Sequence, residues 1–344
     1  MNKIKGIFAV LLAVMIITAF ISPAFLTSYN IENLLRRSAL FGILGIGVSF
    51  VIMTGGIDLS LGSLVCLVGC LTPWLIIDVG IPAPWVLSGL LLLSLGLGLL
   101  HGVLVTKLRL QPFLVTLCGL FIYRGVTRGI LSDQTVGFGT SGTVLKSLGN
   151  GRIPVTDTFG LPIPLIILVL VALGAGFLLR RTLWGRHLIA IGSNETAARH
   201  CGIEVDRVKM GAYAICALLT GIAGLLIVLD TGTAQPSNFG NFYELYAIAA
   251  AVLGGCSLRG GEGTVIGVLI GATLVQVLRN AIVLIDGIPE ASEFAVIGAV
   301  IMIAVITDEV MRRRSGKTNW LKAFVFKDGN EITSPRKCHW VKTN

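Results

Sequence analysis

RRTLWGRHLIAIGSNETAARHCGIEVDRVKM, residues 180–210, is a charged interval set between apolar runs too long and too uniform for a soluble core. Charge at this density is costly in hydrocarbon, so the interval belongs at a membrane face, open to a soluble partner. Within it Ser193 and Asn194 supply N-cap oxygens, and Glu195 puts a carboxylate in the first helical turn, where the helix dipole favours it. Ala197, Ala198 and Arg199 carry the helix on, and Gly202 stands where a C′ stop belongs, with Ile203 as the apolar residue that folds back on the cap. The expectation is a helix of one to two turns over 194–201, whose small-residue face enters a groove on another protein.

The flanks of this interval set the class. The chain has 344 residues, 54% hydrophobic and only 13% charged, with 43 glycines, which exceeds the apolar share of ordinary globular domains and fits a polytopic membrane protein. Apolar runs at 7–22, 39–54, 60–77, 85–105, 112–130, 161–179, 211–230, 243–256, 264–285 and 292–307 are each near the roughly 17–25 residues of a bilayer-crossing helix. The expected fold is therefore all-α, with about ten transmembrane helices and both termini cytoplasmic, the first run counting as an uncleaved span. The formal charge of +9 does not point to nucleic acid, because the basic residues fall in alternate loops. Lys3, Lys5, Lys107, Arg109, Arg180, Arg181, Arg186, Arg199, Arg207, Lys209, Arg259 and Arg312 to Arg314 collect on one side, as the positive-inside rule requires. Arg36 and Arg37 run against this trend, and Ile31 to Ser38 reads as an interfacial segment. The seven cysteines have no metal-ligand spacing and read as packing residues.

Two glycine turns stand out. VIMTGGIDLSLGS at 51–63 and VLGGCSLRGGEGTVIG at 252–267 share a plan: an apolar run ending in Gly-Gly, a polar turn, then a new apolar helix. Repeat architecture and independent origin both account for that echo. In the first turn Gly55 and Gly56 release the helix, while Asp58 and Ser60 have two readings, a cap of the next helix or a contact in gating or ATPase docking. In the second, Arg259 and Glu262 flank Gly261 and can pair across the turn. Residues 131–160 form the longest polar stretch on the expected outer side, either a receptor-docking surface or a solvated connector. Tyr123, Arg124, Arg128, Tyr246, Gln276 and Asn280 are polar groups in or near spans. Tyr123, Tyr246, Gln276 and Asn280 are candidates for a solute path, with hydrogen bonding across packed helices as the competing role. Arg124 and Arg128 read as snorkelling. Ser315-Gly316-Lys317-Thr318 is no phosphate loop, because Met311 occupies the position of the required glycine.

Taken together, GGIDLSLGS at 55–63, GRHLIAIGSNETAARHCGI at 185–203 and LGGCSLRGGEGTVIG at 253–267 resemble the permease subunits of ribose-type ABC sugar importers, which also serve arabinose, xylose, galactose and galactofuranose. The resemblance runs from about residue 5 to 314, which suggests a permease domain over 1–314 and an unassigned polar tail over 315–344. It implies an inner-membrane, multi-pass permease that pairs with a second permease subunit, with ATP-binding cassette subunits and with an extracytoplasmic sugar-binding protein. It also implies that Gly192, Asn194, Glu195, Ala197, Ala198, Arg199 and Gly202 form the ATPase-coupling element. Gly55, Gly56, Asp58, Ser60, Arg259, Gly261 and Glu262 would then lie in cytoplasmic turns. No cofactor or metal is expected in this chain, ATP being bound by the partners, and membrane lipid is the other expected contact. His101, His187, His200 and His339 are scattered without a catalytic spacing, so an enzyme is not expected. The alternative is an ion-coupled secondary transporter, which needs a titratable pair inside the membrane; the spacing of carboxylates along the sequence suggests none.

Overall fold

The computed structural model describes residues 2–139, 143–156, 158–285, 292–300, 302, 303 and 306. Its helices are α1 (Asn2–Ile21), α2 (Ser28–Met53), α3 (Leu61–Pro73), α4 (Ala83–Thr106), α5 (Pro112–Leu131), α6 (Thr143–Asn150) and α7 (Ile163–Arg181), followed by α8 (Leu183–Ser193), α9 (Glu195–His200), α10 (Val205–Thr231), α11 (Tyr243–Leu253) and α12 (Val265–Leu284). Residues 293–300 are also helical. Prolines open α4, α5 and α7 in their first turns, where a missing backbone N–H removes no intrahelical bond.

Among the described residues seven helices are long and apolar enough to cross a membrane, and two shorter apolar ones, Lys5–Ile21 and Tyr243–Leu253, accompany them. Of the tenth expected run, 292–307, the described residues include 292–300, 302, 303 and 306, while the tail over 315–344 lies wholly outside the described residues. The long helices divide by burial. The apolar windows of α2 and α10 are each 83% buried within the chain, against 22% for α7, so α2 and α10 form the centre and α7 turns most of its surface outward. Because lipid is as apolar as leucine, what holds the centre is close packing of small residues rather than exclusion of water.

Two of the expectations are revised here. The segment Ile31–Ser38 is not a separate interfacial piece but the first part of α2, which starts 11 residues ahead of the run at 39. The arginine that runs against the charge trend, Arg36, is paired at 3.3 Å with Asp230 near the end of α10, so it reports an internal ion pair rather than a topology. The polar stretch 131–160 is also folded. β1 (Val136–Gly137) pairs antiparallel with β4 (Thr233–Ala234), tying the end of α5 to the end of α10. β2 (Arg152–Pro154) pairs with β3 (Gly160–Pro162), and buried Glu32 on α2 accepts from the Gly160 N–H at 2.6 Å and from Arg152 at 3.1 Å.

Candidate functional site

The 180–210 interval folds as an elbow of two helices. Thr182 caps α8, its hydroxyl accepting from Gly185 N–H at 3.2 Å, and Leu188 and Ile191 bury the inner face. The Trp184 ring lies 5.8 Å from that of Phe50. This first arm was legible in the sequence as apolar positions at 184, 188 and 191, spaced three or four apart, but the charges around them obscure it. Asn194 is the pivot: its side chain accepts from Ala197 N–H at 2.9 Å and caps α9, whereas Ser193 closes α8 by donating to the Ile189 carbonyl. At the other end Gly202 has φ +81°. Its N–H reaches the Arg199 carbonyl at 3.1 Å and Ile203 N–H reaches Ala198 at 3.1 Å, the paired bonds of a Schellman stop. Truncating the Asn194 cap with alanine is expected to cost the elbow about 1 kcal/mol, seen as faster amide exchange over 195–203; unchanged exchange would remove the pivot role.

The outward face of α9 differs from the one expected. Ala198 is 5% exposed and turns into its own chain, so it does not enter a partner groove; Thr196, Ala197 and His200 are on the exposed side. Glu195 and Arg199 hold α9 to the start of α10. Lys209 donates to Glu195 at 2.6 Å, and Arg199 reaches Glu195 at 3.4 Å and Asp206 at 3.1 Å. Lys107 at the end of α4 also reaches Asp206, at 3.3 Å. Partial burial works against the charge on Glu195, yet Lys209, joined by Arg199, holds its carboxyl below the usual glutamate range. A depressed pKa contributes stability that is present above the ordinary value and lost as pH falls through the depressed one. The tether is therefore expected to be constant from pH 8 to 6 and to loosen only below about pH 4, with the loss at most about 1 kcal/mol for so exposed a pair. Amide exchange of α9 followed against pH checks this; loosening between pH 8 and 6 would contradict it.

The apex of the elbow meets both glycine turns. Gly261 donates its N–H to the Met53 carbonyl at 2.9 Å, joining the turn between α11 and α12 to the end of α2. Gly192 lies against that bond: a β-carbon there would overlap both Met53 O and Gly261 N. A β-carbon on Gly260 would come within 2.8 Å of Gly192 O and of Gly55 N. So residues 55, 192 and 260–261, far apart in sequence, form one backbone-on-backbone junction. Arg259 and Glu262 sit exposed at its rim. Gly56 adjoins Tyr213 of α10, whose hydroxyl donates to the Ile57 carbonyl at 3.4 Å.

Asp58 and Ser60 are not displayed at the surface; each is 2% exposed. Asp58 Oδ1 accepts from the Ser60 N–H at 2.9 Å and from its hydroxyl at 2.7 Å, with Cys216 Sγ 3.8 Å from the other oxygen. This burial disfavours an ATPase contact. Asp58 organises the residue just ahead of α3 rather than capping its free N–H groups. Next to this turn stands His101, which shares the surroundings of Gly119 with Ser60: a β-carbon on Gly119 would come within 2.7 Å of His101 Nε2 and 3.2 Å of Ser60 Cβ, and the same Nε2 is 2.8 Å from the Tyr123 hydroxyl. The structure thus gathers, near the elbow face, titratable groups that the sequence spacing did not suggest. Tyr123 belongs to this packed cluster, on α5, whereas the other three candidates for the solute path lie on α11 and α12.

Those three fall on the α2, α11 and α12 side. Asn280 and Asn30 exchange amide hydrogen bonds at 2.8 and 3.0 Å, a brace between α12 and α2. Gln276 is buried with its amide nitrogen unpartnered. Tyr246 donates to Glu293 Oε1 at 2.7 Å. Arg124 does not snorkel; it donates to the carbonyls of Pro236 and Phe239 at 3.1 and 2.7 Å and fixes the segment ahead of α11. Arg128 is held by Asp133 at 2.6 Å.

A family model described as the permease component of branched-chain amino acid transport systems matches residues 30–305, which takes in both glycine turns and the elbow. The chain belongs to this permease family. It is 37% identical over 306 residues to the ribose import permease protein RbsC of Escherichia coli (strain K12), covering 88% of this chain and 92% of the relative. It is 38% identical to RbsC of Bacillus subtilis (strain 168), with the same coverage. To the xylose transport system permease protein XylH of Escherichia coli (strain K12) it is 32% identical over 364 residues, covering 89% of this chain and 92% of the relative. No solved structure matches. With its long apolar helices, this permease is a multi-pass protein of the inner membrane.

Proposed function

We propose that the permease is the membrane subunit of an ATP-binding cassette importer that carries a monosaccharide, a pentose or hexose, inward across the inner membrane. It works beside a second permease subunit, a copy of itself or a paralogue. Two cassette ATPases bind on the face that carries the elbow, which is then cytoplasmic, and a sugar-binding protein delivers solute at the opposite face. The observation that carries this reading is the junction of the elbow with the turns that end α2 and α11. α9 offers an exposed surface, its ionic tether to the start of α10 and the seat of Gly192 against Met53 and Gly261 biasing it to move with those elements. A push from a closing ATPase pair is therefore passed to α10, α2 and the starts of α3 and α12 together, a rigid-body change between two access states. The residues that form this coupling unit are Gly192, Asn194, Glu195, Arg199 and Gly202, with Gly55, Gly56 and Gly261 as its seat.

The solute follows from the relatives, which are named for ribose and xylose, whereas the family description names branched-chain amino acids. The assembled transporter in proteoliposomes, with ATP on the elbow side, is expected to accumulate D-ribose or D-xylose and not L-leucine. Uptake of leucine without either sugar would overturn the assignment. The cluster of Asp58, His101 and Tyr123 favours a second reading, ion-coupled transport. Inactivating the ATP site of the cassette partner separates the two: uptake that persists, and collapses with a protonophore, would establish ion coupling.

A further inference from the structure

One cluster in the membrane-spanning part is used neither by the junction nor by helix bracing. Arg279 of α12 donates from Nε to Glu293 Oε1 at 2.6 Å, the same oxygen that accepts from the Tyr246 hydroxyl at 2.7 Å. The guanidinium lies over two ring faces, 4.6 Å from the centroid of Tyr246 and 5.8 Å from that of Phe41. Tyr243 packs edge-on against Phe41, with centroids 4.9 Å apart. Phe294 lies nearly parallel to Tyr246, with centroids 6.4 Å apart, and remains 55% exposed.

The depth of this cluster follows from helix rise. Arg279 is 14 residues along α12 from Val265, about 21 Å from the turn face, and its side chain leans back toward the helix start. Phe41 is 12 residues from the end of α2, about 18 Å from the same face. In a hydrocarbon core roughly 30 Å thick that begins at the turn face, Phe41 falls near the middle and Arg279 in the half remote from the elbow, about 8 Å short of the α12 end at Leu284. An ion pair there is costly, and its two side chains are still 25% and 17% exposed within the chain. Lipid cannot cover that edge cheaply, so the edge belongs to a water-lined path or a site for a polar solute. A planar guanidinium and a carboxylate, set among aromatic rings, match a monosaccharide in both its parts. Its hydroxyls take up paired hydrogen bonds, and its C–H face rests on the electron-rich ring faces. Gln276, one turn below Arg279, adds a buried amide nitrogen with no partner.

We propose that Arg279, Glu293, Tyr246 and Phe294 form a sugar-contact subsite in the half of the translocation path remote from the elbow. This rests on the reading of the permease as a monosaccharide importer. The test uses the assembled transporter in proteoliposomes, with initial uptake of D-ribose and D-xylose each measured at saturating loaded binding protein. Arg279→Lys and Glu293→Gln are expected to change the ribose-to-xylose rate ratio at least threefold, and Tyr246→Leu to lower the rate of the preferred sugar about tenfold while Tyr246→Phe keeps more than half of it. A purely structural role moves both sugars in proportion. An unchanged ratio in both polar variants, whether the rates fall or hold, would overturn the subsite. Failure of the wild-type transporter to move either sugar would instead overturn the underlying functional reading.

Discussion

Gly192→Ala is expected to lower ATP-driven uptake at least tenfold while the permease still inserts and assembles with its partners. The new methyl group has no side chain to displace. It meets the Met53 carbonyl and the Gly261 amide, both backbone and joined to one another by a 2.9 Å hydrogen bond. The turn of α11 and α12 must separate from the end of α2, leaving the buried Met53 carbonyl and the half-buried Gly261 amide unpaired at about 1–3 kcal/mol. More important for transport, the elbow loses its seat and an ATPase stroke is spent in the gap. Gly174→Ala is the matched control, since a β-carbon on Gly174 of α7 has open space around it. Uptake and ATP hydrolysis measured side by side decide the matter: a Gly192→Ala transporter that moves solute at the wild-type rate per ATP would show that the junction does not transmit the stroke.

Asp58→Ala should be the most damaging single change for stability in the GGIDLS turn. It removes an acceptor that satisfies both the Ser60 N–H and the Ser60 hydroxyl where water cannot replace it. The expected cost is about 2–4 kcal/mol, read as a fall of several degrees in the thermal midpoint of the detergent-solubilised permease. Asp58→Asn keeps an oxygen in the same place and should recover most of the midpoint. The pair also separates two roles. If Asp58→Asn restores stability and transport together, Asp58 is an organiser of the α3 start. If stability returns without transport, the carboxylate itself takes part in the cycle. An Asp58→Ala midpoint equal to wild type would refute the organising role.

How much of this was legible beforehand depends on the range of the interaction. The α9 cap was, because Asn194, Glu195, Gly202 and Ile203 act within a few residues of one another, and the hydrogen bonds are those their positions require. Seven of the ten apolar runs were as well, among the described residues, although α2 starts 11 residues early because Asn30, Glu32 and Arg36 are each satisfied by groups 120 to 250 residues away. The inward turn of Ala198 was not legible. On a six-residue helix its direction depends on where Lys209, Asp206 and Lys107 stand. Nor was the fate of Arg124, whose partners are carbonyls of the segment before α11.

By itself, then, the sequence determined the class and the local devices: apolar length specifies membrane helices, and capping residues specify where the elbow bends and stops. These are properties of neighbouring residues and of the solvent around them. Only the tertiary structure decided that Gly55, Gly192 and Gly261 are one junction, that Asp58 is buried beside His101 and Tyr123, and that Tyr246, Arg279 and Glu293 form one cluster while Tyr123 stands apart. The physical reason is that a glycine or an isolated charge carries no record of its partner. Which backbone comes close enough to exclude a methyl group, and which charge is matched across the bundle, is set by how the helices pack.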